Sequence, residues 1–169
     1  MELARPRHAA CPRKACETPT RLARFAAKEA TELYAVREIL ETNCVKLISL
    51  PVEARLLAPI EKIQREHAAA IKSNDVRAVF RANVAFHAAI FQLCGNDALT
   101  EAIADFARRT HPVRLTTLVT AQYLEQARAE HDEFLHALRE GDRARLVALC
   151  ARHLKPARVA YLRTIEHLT

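Results

Sequence analysis

The chain has 169 residues, half of them hydrophobic, which is enough to bury the core of one domain with room for little more than an additional arm. Its two glycines and scarce β-branched runs exclude a glycine-rich phosphate loop and disfavour a β-sandwich or barrel. The net charge of +6 lies mostly in residues 1–30, which hold seven Lys or Arg against three Glu, so the rest of the chain offers no broad phosphate-binding face.

No segment of the sequence is suited to membrane insertion or export. Uninterrupted apolar runs stay well below the roughly 18 residues of a membrane span, and the N-terminus lacks the apolar stretch of a signal peptide. The five cysteines include no CxxC pair, which indicates neither a disulfide framework nor a thiolate zinc site. We therefore expect a cytoplasmic protein.

Residues 1–28 are predicted to form a basic arm or linker. Three prolines interrupt this segment and no helical periodicity runs through it, with a helix start at Thr20 or Arg21 as the alternative near its end. A short basic arm contacts nucleic acid at most weakly and is more often a solvated tail. The folded domain is expected to comprise residues 29–169.

Helical periodicity begins near residue 30 and predicts an all-α fold. The predicted helices cover about 30–50, 52–73, 75–94, 97–120, 122–140 and 142–166. Turn and capping residues separate them at 51, 73–75, 95–96 and 141–142. Kinks are expected near Pro112 and Pro156, whereas Pro59 either kinks the second helix or lies in its true first turn. About six helices with short connections predict an antiparallel bundle.

Three of the predicted helices carry a histidine in the middle of an apolar stripe. His87 lies on the third helix, one turn after Asn83, while His131 lies on the fifth and His153 on the sixth. A single buried histidine is most often a hydrogen-bonded core residue. Three neutral imidazoles, however, need partners for both nitrogens of each ring, and one shared divalent metal satisfies three of these nitrogens at once. The other histidines do not follow this pattern, and two are interpreted as surface residues or at most as supports of the site: His67 and His111.

Arg37 raises a parallel question, because it lies on the inward stripe of the first helix, one turn before Glu41. One interpretation is an Arg37–Glu41 ion pair at the edge of the core. The other is a guanidinium that grips a carboxylate ligand inside a cavity. The periodicity favours neither.

Four segments of the chain carry a resemblance to a known family. They are ELYAVREILE (32–41), NDVRAVFRANVAFHAAIFQLCGNDAL (74–99), EHDEFLHALREGDRARL (130–146) and ARHL (151–154). They resemble the FCD domain, the C-terminal effector-binding domain of the FadR subgroup of GntR-type bacterial transcription regulators. The resemblance extends over residues 29–165.

The resemblance implies a metal site. The family's pattern is Asp, or less often Asn, four residues before a histidine, followed by a histidine on each of two later helices. Four residues match it in order and spacing: Asn83, His87, His131 and His153. The implied cofactor is a divalent metal ion, with zinc as the first candidate and nickel or manganese as alternatives.

The resemblance also implies ligands and partners. Arg37, in the family's VRE motif, is expected to face the effector cavity, and Arg114 is a candidate second contact for an anion. The implied effector is a small organic acid, and the implied assembly is a homodimer.

The sequence departs from the family in two respects. Asn83 replaces the commoner aspartate, so the full charge of the ion stays uncompensated, which weakens metal retention and strengthens attraction for an anion. Residues 1–28 are too short and too rich in proline for the winged helix that normally precedes this domain. A truncated gene, a misassigned start and a chain that senses without reading DNA all fit this observation.

The leading hypothesis is therefore a metal-containing, carboxylate-sensing domain without enzymatic activity. One alternative is a metal-dependent hydrolase, although Glu41 is the only carboxylate that the periodicity places on an inward stripe. A second alternative is a structural or protein-binding helical module with three hydrogen-bonded core histidines.

Overall fold

A computed structural model of the protein describes residues 26–115 and 120–166. The described residues form eight helices and no strand, which confirms the predicted all-α fold. The helices are α1 (Ala27–Leu47), α2 (Ala54–Lys72), α3 (Val76–Gln92), α4 (Asp97–Arg109), α5 (His111–Leu115), α6 (Ala121–Glu140), α7 (Arg143–His153) and α8 (Lys155–Glu166). None of these helices combines the length and the apolar character that a bilayer crossing requires.

The predicted fourth and sixth helices are each divided in two. Thr110 separates α4 from α5, and Leu154 separates α7 from α8. Pro112 and Pro156 are each the second residue of the new helix, where no backbone N–H is needed, so these prolines begin helices where kinks were expected. Pro59 lies within α2.

The N-terminal predictions are tested only in part. The proposed helix start at Thr20 or Arg21 and most of the predicted arm lie outside the described residues. Helix α1 begins at Ala27, slightly before the predicted residue 30.

Local capping fixes several helix ends as the sequence predicted. The side chains of Asp75, Asn96 and Asp142 each accept a hydrogen bond from the backbone N–H three residues later, at 2.9, 3.0 and 2.9 Å. Gly141 ends α6 in the left-handed region, with φ of 76°. These caps explain why the bounds of α3 and α6 lie close to the predicted ones.

Three apolar clusters hold the described part of the bundle together, of which a small one joins Ala70 of α2 to Val79 of α3 and the other two surround the candidate site. The larger of these two is built from α1, α2, α3, α4, α6 and α7 and includes Phe86, Phe134 and Leu149. The smaller joins α1, α5 and α8 through Tyr34, Val113 and other residues. Helix α2 packs on α3 and α6, and α1 packs on α4 and α7. The polar residues of the candidate site contact aromatic rings of both these clusters.

Candidate metal centre

Three helices bring the predicted histidines together. His87 on α3, His131 on α6 and His153 on α7 each offer a ring nitrogen, and these nitrogens all lie within 4.8 Å of one another. The Nε2 atoms of His87 and His153 are 3.0 Å apart. Two nitrogens that ligate one tetrahedral zinc ion are separated by about 3.3 Å, given Zn–N bonds of about 2.0–2.1 Å. The His87–His153 distance is close to this value, so the group can hold a metal ion.

His131 is held in the tautomer that metal binding requires. Its Nδ1 lies 3.0 Å from Oε1 of Gln64, whose amide nitrogen donates to the backbone oxygen of Arg128 and to Asp132. The Gln64 oxygen is therefore an acceptor, and Nδ1 of His131 carries the proton. The opposite nitrogen, Nε2, is buried and has no hydrogen-bond partner among the described residues. Such an orphaned acceptor is where a cation would be bound.

His153 is oriented by a carboxylate. Its Nδ1 lies 2.5 Å from Oε2 of Glu130, which is buried and also accepts a hydrogen bond from Gln126. Burial alone would raise the pKa of Glu130, but the hydrogen bond and charge of His153 hold it below its usual value. A carboxylate on one nitrogen of an imidazole makes the opposite nitrogen a stronger metal ligand. For His153 that nitrogen is Nε2, which faces His87.

The electrostatics favour neutral imidazoles at His87 and at His131. Burial, followed by the neighbouring histidines, lowers the pKa of His87 and of His131 well below the usual value. The neutral ring is the form that ligates metals. When neither Nε2 atom carries a proton, the lone pairs of His87 and His153 face each other at 3.0 Å, an arrangement that a cation between them relieves.

Asn83 lies one helical turn before His87, and its amide oxygen already has a partner. Oδ1 of Asn83 accepts a hydrogen bond from Nη1 of Arg114 at 3.0 Å. A carbonyl oxygen has two lone pairs, so this bond leaves one for another contact. Asn83 as fourth metal ligand stays a prediction.

Arg37 forms the expected ion pair with Glu41, while its contact with a carboxylate ligand stays a prediction. Its Nε donates to Glu41 at 2.7 Å and its Nη1 donates to Thr110 at 2.9 Å, with only 3% of each ion-pair residue exposed. Burial alone would lower the pKa of Arg37, but the Glu41 carboxylate holds it above its usual value. Arg37 is thus a fixed cation in the interior, and it also lines a cavity.

That cavity, here called the inner cavity, has a volume of about 60 Å³. Its polar walls include Arg37, Asn83, Arg114, Glu130 and His153. Burial, together with the Arg37 charge, lowers the pKa of Arg114 to about 10, so both arginines remain cationic near neutral pH. Four of the six predicted site residues line this cavity: Arg37, Asn83, Arg114 and His153. The rings of the other two, His87 and His131, lie next to that of His153, at centroid distances of 4.7 and 5.3 Å.

The FCD domain model matches residues 32–156, most of the chain. The chain belongs to the FCD domain family. FCD domains are ligand-sensing regulatory domains of GntR-type regulators and are not enzymes. No curated protein and no solved structure gives a significant match.

Three buried polar residues of this FCD domain were missed or misplaced by the sequence analysis. Glu130 is buried, so Glu41 is not the only inward carboxylate, contrary to the expectation. Glu130 lies four residues before the buried Phe134, and this helical spacing could have indicated its inward position. Gln64 follows Ile60 at the same spacing on α2.

His67 is buried, which contradicts its interpretation as a surface residue, whereas a supporting position for it stays a prediction. Neither of its ring nitrogens has a hydrogen-bond partner among the described residues. Its ring lies 4.8 Å, centroid to centroid, from that of His131, and it lines the inner cavity. His111 is half-buried, with its ring edge-on to Phe80.

Proposed function

We propose that this FCD domain is the sensing half of a GntR-type regulator of the FadR subgroup, in which a divalent metal and two arginines bind a carboxylate effector. The metal ligands are His87, His131 and His153, with Asn83 as a weaker fourth. The observation that carries this proposal is the buried Nε2 of His131, which has no hydrogen-bond partner in the part of the chain that the structure describes and lies beside the facing Nε2 atoms of the other two histidines.

The donor set favours zinc as the ion, with nickel or manganese as alternatives. Imidazole nitrogen suits zinc and nickel better than it suits magnesium or calcium, which prefer oxygen. When bound, the ion supplies an uncompensated positive charge and an open coordination position for an anion. Glu130 and Gln64 hold two of the ligating rings in place through their Nδ1 atoms.

A carboxylate fits the inner cavity by charge and by size. Arg37 and Arg114 line it, and a guanidinium binds a carboxylate with two parallel hydrogen bonds. A volume of about 60 Å³ corresponds to about two waters at roughly 30 Å³ each, which is the size of one carboxylate group.

Regulation would follow from differential binding. GntR-type regulators read DNA through a winged-helix domain, and an effector changes DNA affinity only if it binds one arrangement of the dimer better than the other. We propose the same logic for this domain as a cytoplasmic homodimer, with no membrane contact and no DNA contact of its own.

Metal content tests the proposal directly. Protein made without a histidine tag, stripped with chelator, reloaded with Zn²⁺ and dialysed is expected to hold about one ion per chain. The His87→Ala/His153→Ala double variant should lose that ion, because two of three strong ligands are gone. The matched control His136→Ala changes an exposed histidine of α6 and should keep it. Equal metal in the double variant, with helicity by circular dichroism preserved, would remove the site.

Replacing Glu130 tests how the ligating rings are held. Glu130→Gln keeps the shape of the side chain but removes the charge on Nδ1 of His153, so zinc affinity measured against a competing chelator should fall about 10- to 100-fold. Glu133→Gln, at a half-exposed position of the same helix, is the control and should change it less than twofold. If the two variants bind zinc equally well, Glu130 does not act on the metal.

A further inference from the structure

A second and larger cavity lies between α3 and α4, with a volume of about 420 Å³. We call it the α3–α4 chamber. Its walls are mainly apolar and come from facing positions of the two helices: Val84, Ala88 and Phe91 on α3, and Ile103, Ala104 and Ala107 on α4. Volumes of about 300–1,000 Å³ are typical of small-molecule sites, so the chamber is large enough to hold the body of a ligand.

The chamber has a buried cationic end and an exposed end. Arg37 and His87 are buried and line it together with Arg114. Gln92 and Glu101 are exposed and also line it, so this end opens to solvent. Ala88, Ala104 and Arg108 on the walls are exposed as well, so the chamber is open along one side and has Arg37 and His87 at its buried end.

The two arginines connect the chamber to the inner cavity. Arg37 and Arg114 line both spaces, while His153 lines the inner cavity and His87 lines the chamber. An anionic group at the arginines can therefore lie beside the histidine group while the rest of the same molecule extends along α3 and α4. The inner cavity alone has no room for such a body.

The side chains of the chamber walls determine whether the part of the ligand outside its carboxylate should be polar or apolar. Gln92, Thr100 and Glu101 also line the chamber and can bond some hydroxyl groups of a polyhydroxylated body. Its other hydroxyl groups would lie against Val84, Phe91 and Ile103, whose side chains offer no hydrogen-bond partner. An apolar body instead loses contact with water and gains contact with these side chains. The chamber volume of about 420 Å³ lies within the roughly 300–1,000 Å³ of small-molecule sites, which suits an aromatic ring with a short linker or a medium-length acyl chain.

We propose that the effector is a monocarboxylate with an apolar body, whose carboxylate binds at Arg37 and Arg114 and whose body fills the α3–α4 chamber. This inference rests on the proposed function, because it assumes that the domain binds a carboxylate. It adds that hydrophilic sugar acids of the same charge are poor ligands.

Matched ligands test the proposal on the full, zinc-reloaded chain by calorimetry. The probes are 4-phenylbutyrate, gluconate, acetate and the neutral amide 4-phenylbutyramide. We expect 4-phenylbutyrate to bind at least tenfold more tightly than each of the other three, because only it satisfies both the arginines and the walls. Gluconate binding as tightly as 4-phenylbutyrate would overturn the proposal.

Substitutions that fill the chamber provide a second test of the proposal. Ala88→Phe and Ala104→Phe place a ring at exposed positions of its walls, where folding should be little affected. Each should weaken 4-phenylbutyrate at least tenfold and leave acetate unchanged, while the control Ala148→Phe, on the exposed side of α7, should change neither. Unchanged 4-phenylbutyrate affinity in both chamber variants would overturn the proposal.

The failures of the two proposals are distinguishable. If acetate binds to the metal-loaded protein and 4-phenylbutyrate binds no better, the chamber proposal fails and the proposed function stands. If none of the acids binds, both fail as statements about a carboxylate effector, whatever the metal content.

Discussion

Replacing Glu41 with alanine is expected to lower the free energy of unfolding by about 3–5 kcal/mol. Arg37 and Glu41 form an ion pair of 2.7 Å in which each residue is 3% exposed. The alanine variant leaves the guanidinium buried with Thr110 as its remaining hydrogen-bond partner from this network. A buried charge without its counter-charge costs far more than the intact pair contributes.

A variant that replaces both charged residues of the pair with apolar ones is the informative comparison with Glu41→Ala. The Arg37→Met/Glu41→Leu double variant removes both charges and should lose much less stability than Glu41→Ala, since no isolated charge remains. Glu38→Ala, on the same helix but only half-buried, should cost under about 1 kcal/mol. Urea unfolding followed by circular dichroism measures all three. Equal losses for Glu41→Ala and Glu38→Ala would mean that the pair is not isolated from water.

The metal-free protein is expected to lose stability as the pH falls from about 6.5 towards 4. Burial, followed by the charge of His153, lowers the pKa of His67 to about 4, whereas the unfolded chain has the ordinary value near 6.5. Within this window the unfolded state binds more protons than the folded state, so acid favours unfolding. For His67 alone the loss amounts to about 3 kcal/mol. His87 and His131 have lowered pKa values too, and they act in the same direction.

Urea midpoints at a series of pH values between 7.5 and 4.5 measure this loss. His67→Met removes one of the buried imidazoles and should flatten the pH dependence, while retaining full folding at pH 7.5. His136→Gln, which changes an exposed histidine, should leave the curve of the wild type unchanged. Identical pH dependence in His67→Met and wild type would show that His67 is protonated as easily in the folded state as in the unfolded one.

The parts of the fold that depend on local interactions could be predicted from the sequence. Asp75, Asn96 and Asp142 cap their own helices, and the stripes that carry His87, His131 and His153 follow from the helical repeat alone. The divisions at Thr110 and Leu154 could not be predicted in the same way. The apolar periodicity continues through them, and a proline is compatible with both a kink and a new first turn.

The partners of the histidines required the tertiary structure. Gln64 and His131 are 67 residues apart, and no local pattern shows that α2 and α6 pack together at these positions. His67 illustrates the same limit, because the sequence indicated neither its burial nor whether a hydrogen-bond partner lies beside its ring. Periodicity identifies which residues are buried, whereas the network that holds the metal ligands depends on which buried residues meet.

Arg37 and Arg114 line two spaces at once, and this sharing constrains what the domain can report to the cell. In the proposed arrangement, an inorganic anion in the inner cavity and a ligand carboxylate at the end of the chamber would draw on the same two positive charges, so each would weaken the other by the same factor. The occupancy of such a sensor follows the ratio of its effector to the competing anions of the medium. The effector concentration at which such a sensor responds would then depend on the concentration of competing anions as well as on its affinity for the effector.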